Sequence, residues 1–525
     1  MRSLFRCLLA MLICGCSFCE IVAQASCPKR PTPGSVVQDA LSLIPQNGVL
    51  AAKFIMGHSV DQYGYTHFCY NYKDSDGQYV EAPTLRVHQG DTLILGVEDR
   101  IQDVDAGMKM PAPAGKACGD GGPRTLEATN VHFHGMNVSP NCHQDDVLTT
   151  LIQPGTPGLE YKIPIPTDEP PGLYWYHPHV HGFAEFQVNG GAAGALVVEG
   201  MEQVHPEVAG LTQRVFTIRQ QYLVPWIPGP YQLSINFQVS ALPFPQPKIQ
   251  MAPGEKQFWR VANATIQDFL PLQFQINGVA QPMELIALDG YPVSQPKMET
   301  TILVPPAGRA EFVVQAPASG QLAQFVTLNY STGPTGNPDL PQSLASVQLT
   351  NNPEGGYKEP AAKSTGPAIH LQNLKFADLA NQKATAVRKL YFSEEFGGTN
   401  GPIQFYITVD GQQQRVFEPN EKPVITTKVG AVEDWTIENR ALETHAFHIH
   451  QIHFLVLEID GKPVPHQYYL DTIAIPFWEG PGHPYHSVKV RMDFRDPTIA
   501  GTFVFHCHIL LHEDLGMMHK ILVEP

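Results

Sequence analysis

Four His-x-His pairs stand out among the 22 histidines of the chain. The pairs are His132 and His134, His177 and His179, His448 and His450, and His506 and His508. Side chains alternate between the two faces of a β-strand, so both histidines of such a pair point to the same side. One pair could arise by chance, whereas four pairs, two toward each end of the chain, predict the ligands of a metal cluster.

A cysteine lies between the last two histidines. By the same alternation, Cys507 faces away from His506 and His508 and can bind a separate metal. Its possible co-ligands are His512, Met517 and His445. Two imidazoles, one thiolate and a weak methionine thioether form a blue-copper electron-transfer site. The tripeptide around Cys507 therefore predicts a short covalent path for electrons between that site and the cluster.

The segments that carry these ligands form an internal repeat. Residues 172–179 (GLYWYHPH) resemble residues 501–508 (GTFVFHCH), and both continue into an apolar strand. The positions of Cys507, His512, Met517 and His445 are taken in the first copy by Pro178, Phe183, Val188 and Thr129. None of these four binds copper well, so the first copy is predicted to keep cluster ligands and to lack the mononuclear site.

Short apolar runs bounded by glycine and proline recur along the chain, for example at 84–97, 194–198 and 502–505. This pattern predicts an all-β protein built from β-sandwiches. The repeat at the two ends, with a stretch of similar character between them, predicts domains at 26–200, 201–370 and 371–525. A segment rich in proline and glycine at 351–366 is the expected linker before the last domain.

Length and charge narrow the class of protein further. A chain of 525 residues is too long for one ordinary core. The formal net charge of −16 argues against nucleic acid as a partner, because phosphate binding needs a basic face. Small neutral or cationic substrates are compatible with it.

The N-terminus resembles a signal peptide. Arg2 and Arg6 precede an apolar stretch at 8–18, and Ala23-Gln24-Ala25 supplies a cleavage site. Residues 1–25 are therefore predicted to be removed and the protein to be secreted or periplasmic. A lipoprotein signal with Cys16 as the lipidated residue is the alternative. The apolar stretch is too short for a comfortable membrane span, and no later stretch qualifies.

Five of the nine cysteines lie beyond this signal. Export favours disulfides among Cys27, Cys69, Cys118 and Cys142, for which three pairings are possible. The fifth, Cys507, stands alone between two histidines, as a metal ligand would.

At these residues the chain resembles the three-domain multicopper oxidases, the family of laccases and ascorbate oxidases. Four motifs carry the resemblance: HFHG from His132, HPHVHG from His177, HAFHIH from His445 and HCHILLHEDLGM from His506. It implies three consecutive cupredoxin-like Greek-key sandwiches and four copper ions. By similarity the type 1 copper takes His445, Cys507, His512 and Met517. The type 2 copper takes His132 and His448. The type 3 pair takes His134, His177, His179, His450, His506 and His508.

The resemblance also implies the reaction. Four one-electron oxidations of a small reducing substrate are coupled to reduction of dioxygen to two waters, with phenols or aromatic amines as donors. His512 is the expected electron entry, Glu513 a proton relay and Asp145 the carboxylate beside the first ligand pair. Phe133 replaces the tryptophan common in relatives, and Ala446 and Gln451 replace a proline and a glycine.

Other functions fit the residues less well. A metallo-oxidase of Cu(I), Mn(II) or Fe(II) is the nearest alternative, and a methionine-rich or acidic insert beside His512 would favour it. No methionine-rich insert is clear in the sequence. A copper nitrite reductase or a simple cupredoxin electron carrier would not need eight cluster histidines. A monomer is expected.

Overall fold

The computed structural model describes residues 25–62, 64–102, 104, 107–113, 115–221, 232–240, 243–358, 368–396 and 403–525. The predicted signal peptide at 1–25 lies outside this part of the chain apart from its last residue, as does the second half of the predicted linker at 351–366. Strands hold 47% of the residues and helices 6%, which confirms the all-β prediction.

The first pair of sheets takes its strands from residues 42–198. Its elements are β1 (Ser42–Leu43), β2 (Val49–Val60), β3 (Thr66–Lys73), β4 (Tyr79–Glu81), β5 (Thr84–Val87), β6 (Thr92–Asp99), β7 (Lys109–Met110), β8 (Cys118–Gly119), β9 (Arg124–Thr125), β10 (His132–His134), β11 (Thr150–Leu151), β12 (Leu159–Pro164), β13 (Gly172–His177), α1 (Ala184–Gly190) and β14 (Gly194–Val198). The sheets have the orders β1-β5-β14-β13-β10 and β12-β6-β2-β3-β4, with small ribbons β7-β9 and β8-β11.

The apolar run at 84–97 forms two strands in different sheets, because a turn interrupts it at 88–91. Gly90 has a φ of +82°, and the Asp91 side chain accepts the backbone N–H of His88 at 2.7 Å. Because apolar residues alternate on both sides of the turn, the sequence pattern does not show where the run divides.

The middle pair of sheets follows. Its elements are α2 (Met201–Val204), β15 (Thr212–Gln221), β16 (Gln232–Ile235), β17 (Gln238–Val239), β18 (Lys248–Met251), β19 (Lys256–Asn263), β20 (Leu270–Ile276), β21 (Val279–Gln281), β22 (Met283–Leu288), β23 (Tyr291–Glu299), β24 (Ile302–Val304), β25 (Arg309–Gln315), β26 (Ala323–Thr327) and β27 (Gln342–Leu349). The sheets have the orders β17-β16-β15-β19-β25-β22-β23 and β18-β27-β26-β20-β21, and β24 pairs with β20.

The last pair of sheets completes the fold. Its elements are β28 (Ala386–Phe396), β29 (Ile403–Val409), β30 (Ile425–Lys428), β31 (Ala431–Asn439), β32 (His445–Ile449), β33 (Phe454–Ile459), β34 (Lys462–Pro463), β35 (Tyr469–Leu470), β36 (Thr472–Ile475), β37 (His486–Phe494), β38 (Gly501–Cys507), α3 (Leu510–Asp514) and β39 (Met518–Glu524). The sheets have the orders β29-β28-β31-β37-β33-β34, with β35 beside β33, and β30-β39-β38-β32-β36. Short 3-10 helices lie at Pro206–Val208, Leu371–Asn373, Leu379–Asn381 and Pro497–Ile499.

The internal repeat has a direct structural counterpart. In the first region β10 pairs with β13, β13 with β14, and β14 with β5. In the last region β32 pairs with β38, β38 with β39, and β39 with β30. Both ligand-bearing strands are thus flanked by the same neighbours in the same order, which places the histidine pairs at equivalent positions of two sheets.

Burial along the strands shows what each face contacts. In β12, Leu159, Tyr161 and Ile163 are buried and the residues between them are exposed, because one face packs on the core and the other meets solvent. Every residue of β13 is buried, since its second face lies against the middle region. There the backbone N–H of Leu173 donates to the Glu311 carboxylate at 2.7 Å.

Two disulfides lie in the first region. They join Cys27 to Cys69 and Cys118 to Cys142, which selects one of the three possible pairings. Cys507 is free and buried. No helix in the described part of the chain is long and apolar enough to cross a membrane. The domain boundaries at 200 and 370 remain a prediction.

Candidate metal centre

The sheet register brings the four His-x-His pairs together. Where β10 runs beside β13, His132 lies opposite His177, and where β32 runs beside β38, His448 lies opposite His506. The imidazole rings of the two regions then stack across the interface. His132 stacks on His450 at a centroid distance of 3.9 Å, and His134 on His448 at 4.0 Å.

The eight histidines form three groups, and within each group the donor atoms lie within 4.8 Å of one another; the first two groups share His134. The groups are His132, His134 and His448; His134, His177 and His508; and His179, His450 and His506. Each group draws ligands from both ends of the chain. The second and third groups divide the six histidines assigned to the type 3 pair into two sets of three, and the first contains both histidines assigned to type 2.

These imidazoles fit a metal cluster. Buried ring nitrogens without a hydrogen-bond partner are His132 Nε2, His134 Nδ1, His177 Nε2, His448 Nε2, His450 Nδ1 and both nitrogens of His508. Burial, followed by the neighbouring histidines, holds the pKa well below its ordinary value for His132, His134, His177, His450, His506 and His508. Neutral buried imidazoles with unused lone pairs are suitable ligands for copper.

A carboxylate fixes the first histidine of the set. The ring Nδ1 of His132 lies 2.9 Å from Asp145 Oδ1. The same oxygen accepts the backbone N–H of Phe133, and Gln451 Nε2 donates to Oδ2 at 2.5 Å. Because its Nδ1 is hydrogen-bonded to a carboxylate, His132 keeps Nε2 free for a metal. Residues that hydrogen-bond to a metal-binding histidine usually fix its orientation in this way.

A second carboxylate, Asp471, links all three regions. Its Oδ1 lies 3.1 Å from His134 Nε2, and its backbone carbonyl lies 2.9 Å from His448 Nδ1. The fully buried guanidinium of Arg309, from the middle region, donates to both carboxylate oxygens. This ion pair holds the pKa of Asp471 well below its usual range despite burial.

A glycine makes room for this ion pair. A Cβ atom at Gly135 would lie 2.4 Å from Arg309 Nη2 and 2.7 Å from Asp471 Oδ2. Gly135 also has a φ of +86°, in the left-handed region that favours glycine. The glycine of the HFHG motif is thus required by the contact between the middle region and the cluster.

The predicted proton relay lies against the third histidine group. Glu513 is fully buried, with Oε1 3.4 Å from His179 Nε2 and Oε2 3.3 Å from His506 Nδ1. Burial, and then the adjacent Asp514, raises the pKa of Glu513 well above its usual value. Asp514 in turn accepts the backbone N–H groups of Gly182 and Glu185 before and within α1.

The mononuclear ligands also meet, on the other face of β38. Cys507 Sγ lies 3.5 Å from His445 Nδ1 and 3.8 Å from His512 Nδ1. Met517 is buried in the same apolar cluster as Cys507. Burial raises the pKa of the Cys507 thiol, so a thiolate at this position requires a bound cation. The donor set of two imidazoles and a thiolate fits copper.

Two glutamates border this mononuclear group. Glu394 Oε1 lies 3.3 Å from His445 Nε2, and Glu443 Oε2 lies 3.7 Å from His512 Nε2. Their side chains are 3% and 13% exposed. Burial and the proximity of Glu394 raise the pKa of Glu443 to about 8. Phe405 stacks on the ring of His512 at 4.0 Å. An aromatic ring thus covers one face of this imidazole, and a carboxyl group lies near its Nε2 atom.

The structure therefore brings the eight predicted cluster histidines together, and beside them it brings together His445, Cys507 and His512. Met517 is adjacent through its backbone, whose N–H donates to the carbonyl of His512 at 2.8 Å. Glu513 and Asp145 lie beside the cluster histidines. Sequence reasoning missed Asp471, Arg309 and Glu394, which lie far from the histidine motifs in the chain. Only Gln451 carried a signal, because it departs from the glycine expected at the end of the third motif.

Comparison with known proteins agrees with this geometry. Three family profiles, each described as multicopper oxidase, match residues 124–203, 205–351 and 397–525 and together cover more than half of the chain. A multicopper oxidase of Staphylococcus haemolyticus is 25% identical over 416 residues, or 76% of this chain and 77% of the relative. A laccase of Bacillus stratosphericus is 22% identical over 437 residues, or 75% of this chain and 80% of the relative.

Solved structures show the same fold. A Campylobacter jejuni multicopper oxidase, described as a metallo-oxidase, matches with a TM-score of 0.66 and 22% identity over 94% of this chain and 96% of its own. The McoA multicopper oxidase of Aquifex aeolicus matches with a TM-score of 0.67 and 16% identity over 94% of this chain and 100% of its own. The chain belongs to the multicopper oxidase family. It is accordingly a copper-dependent oxidoreductase that uses oxygen as acceptor.

Proposed function

We propose that the chain is a laccase-type oxidase that holds four copper ions. The type 1 ion is bound by His445, Cys507, His512 and Met517. The trinuclear cluster is bound by His132, His134, His177, His179, His448, His450, His506 and His508. The observation that carries the proposal is that the histidine groups lie next to the group of His445, Cys507 and His512, with His506 and Cys507 adjacent on the same strand, β38.

When bound, copper supplies one-electron oxidation at the mononuclear site and four-electron reduction of dioxygen to water at the cluster. The side chains of the protein carry electrons and protons and orient the ligands. Cys507 and its two neighbours join both sites through one backbone segment, which favours electron transfer. Glu513, buried between His179 and His506, is placed to hold and deliver protons where oxygen is reduced. Asp145 and Asp471 hold His132 and His134 in fixed orientations.

A small cavity supports the supply of oxygen. It adjoins the cluster ligand His179 and is lined in part by the apolar side chains of Val180, Phe417, Val504 and Met518. The apolar part of the lining suits a neutral diatomic molecule, while Arg124, Asn130 and His181 supply polar groups to the same cavity.

The first test is metal analysis of the purified full-length protein after export. About four copper ions per chain are expected, together with the blue absorption of a copper–thiolate site. One copper per chain would contradict the cluster, and the absence of a blue band would contradict the role of Cys507.

For the donor we propose phenols or aromatic amines as the first candidate, since the ring next to the imidazole of His512 is itself aromatic, that of Phe405. A specific observation favours a second candidate, the oxidation of Cu(I), Mn(II) or Fe(II). Glu394 and Glu443 border both imidazoles of the mononuclear site, and Glu394 Oε1 is buried without a hydrogen-bond partner. Carboxylate oxygens attract cations and would hold a metal-ion donor next to the imidazole edges.

Steady-state oxygen consumption separates the two donor classes. In the double variant Glu394→Gln/Glu443→Gln, the KM for a metal-ion donor should rise at least about tenfold if cations bind there, as loss of charged ligands predicts. The KM for a phenol should change little. Glu395→Gln, an exposed neighbour on the same strand, is the matched control. Equal effects on both donors would reject the cation site.

A further inference from the structure

One residue beside the cluster adopts a backbone conformation that its side chain disfavours. Gln451 has a φ of +61° and immediately follows the ligand His450 at the end of β32. The left-handed region costs little for glycine, the residue that the family resemblance predicts here, and more for glutamine. Strained residues persist where the surrounding structure holds them, and they concentrate at functional sites.

The side chain of Gln451 explains what holds it. It is 2% exposed, and its Nε2 group donates to Asp145 Oδ2 at 2.5 Å. This bond crosses from the last region to the first and ends on the carboxylate that binds His132. Glycine could adopt the same turn, but it would leave that oxygen without this donor.

The bond completes the set of donors around Asp145. Oδ1 already accepts the backbone N–H of Phe133 at 2.9 Å, and His132 Nδ1 lies within 3.0 Å of both oxygens. Gln451 adds the remaining donor on Oδ2. Three donors therefore surround the carboxylate, with His132 Nδ1 shared between its two oxygens, and together they fix the plane of the carboxylate against the imidazole of His132.

A fixed carboxylate matters because it lies close to other metal-binding atoms. Asp145, His132 and His450 have donor atoms within 4.8 Å of one another. A carboxylate free to rotate here could itself bind a metal or release the ring of His132. Held by its donors, it leaves His132 Nε2 as the free ring nitrogen, and that atom is buried without a hydrogen-bond partner.

We propose that Gln451 is a positioning residue that holds the Asp145 carboxylate against His132, so that His132 presents Nε2 to the type 2 copper. The inference rests on the proposed function, because it takes His132 as a ligand of that copper. The left-handed turn at Gln451 brings its amide to Asp145. Substituting glycine would relieve the strain and lose the contact.

The test uses two variants of the full-length, copper-loaded protein. Gln451→Met keeps the length and the backbone strain of the side chain but lacks the N–H donor. Gln451→Gly removes both the donor and the strain. Each should weaken binding of the type 2 copper about tenfold in competition with a chelator, the scale found for outer partners of metal ligands. The kcat should fall in parallel for every donor, while donor KM values and the blue absorption stay unchanged.

Ala82→Gly is the matched control, since Ala82 is also buried with a positive φ of +49° and lies in a turn of the first region. It should leave type 2 copper binding unchanged. The inference is overturned if Gln451→Gly binds type 2 copper as the wild type does, whether or not its thermal midpoint changes. Gln451→Gly decides the question even if the methionine variant fails to fold. A wild-type protein without type 2 copper would instead reject the proposed function.

Discussion

The first and last sheets share strand order and register, yet only the last carries a mononuclear metal group among the described residues. In the last region Cys507 faces His445 and His512. In the first region Pro178 takes the place of the cysteine, and the Thr129 hydroxyl donates to the Gln187 side chain at 3.0 Å.

Apolar packing fills the rest of that position in the first sheet. Phe183 packs with Val180 and Leu151, and Val188 packs with Ile266 and Leu510, all of them buried. The two sheets therefore differ on one face and agree on the other. The shared face brings the histidines of both copies together, whereas the other face carries His445, Cys507 and His512 in one copy and apolar packing in the other.

The largest expected effect comes from removing the thiol that the last copy has and the first copy lacks. Cys507→Ser should abolish the blue absorption and reduce turnover to background, because serine is a poor ligand for copper of this type. The eight cluster histidines remain, so the copper content should fall by about one ion per chain. Unchanged turnover would show that electrons enter elsewhere.

A smaller loss is expected when the cluster keeps its ligands but loses its proton group. Glu513→Gln should lower kcat roughly 100-fold, the lower end of the range for general acid–base groups. Copper content and the blue band should be retained, which separates this effect from loss of metal. Glu185→Gln, near Asp514 in α1, is the control and should lower kcat less than about twofold.

The middle region contributes no histidine to the cluster, but its Arg309 donates to Asp471, which lies beside the cluster histidines. Arg309→Lys keeps the charge and loses the two-pronged contact with Asp471, so about a tenfold loss of turnover is expected. Arg260→Lys is the matched control, since Arg260 is equally buried and pairs with Glu311 away from the histidines. Loss of the type 3 copper absorption in the Arg309 variant, with no such loss in the Arg260 variant, would support a role of Arg309 in holding the cluster. Equal losses in both would indicate a general effect on the fold.

The smallest effect is predicted for the reverse change in the first copy. Pro178→Cys should add no blue band and no copper, because Phe183 and Val188 occupy the positions of the other ligands. Absorption and metal analysis of the variant test this directly. A second blue site would mean that a cysteine on this strand is sufficient to bind copper without the other ligands.

Sequence alone predicted the fold and most of the site, for a physical reason. The ligands lie on strands with a period of two, so motif spacing determines which side chains share a face. The repeat then located equivalent strands in two sheets. The disulfide pairing stayed open until the structure joined Cys27 to Cys69 and Cys118 to Cys142, because pairing depends on loops that no periodicity describes.

Contacts between residues far apart in the chain were the part that could not be predicted. Asp471, Arg309 and Glu394 act on the histidines from distant parts of the chain, and nothing in their local sequence marks them. The turn at 88–91 illustrates the opposite case, since the apolar alternation on both sides of it does not show where the run divides into two strands. Periodicity describes a strand well, but it contains no information about which strands from different sandwiches meet.

The division of each histidine group between the two ends of the chain sets an order for maturation. His132 and His134 are synthesised long before His448 and His508, so none of the histidine groups is complete until the last segment of the chain has been made. A metal ion that needs all three histidines of a group would therefore bind only after the last sandwich has docked on the first. The group of His445, Cys507 and His512 lies within one region and can assemble as soon as that region has folded.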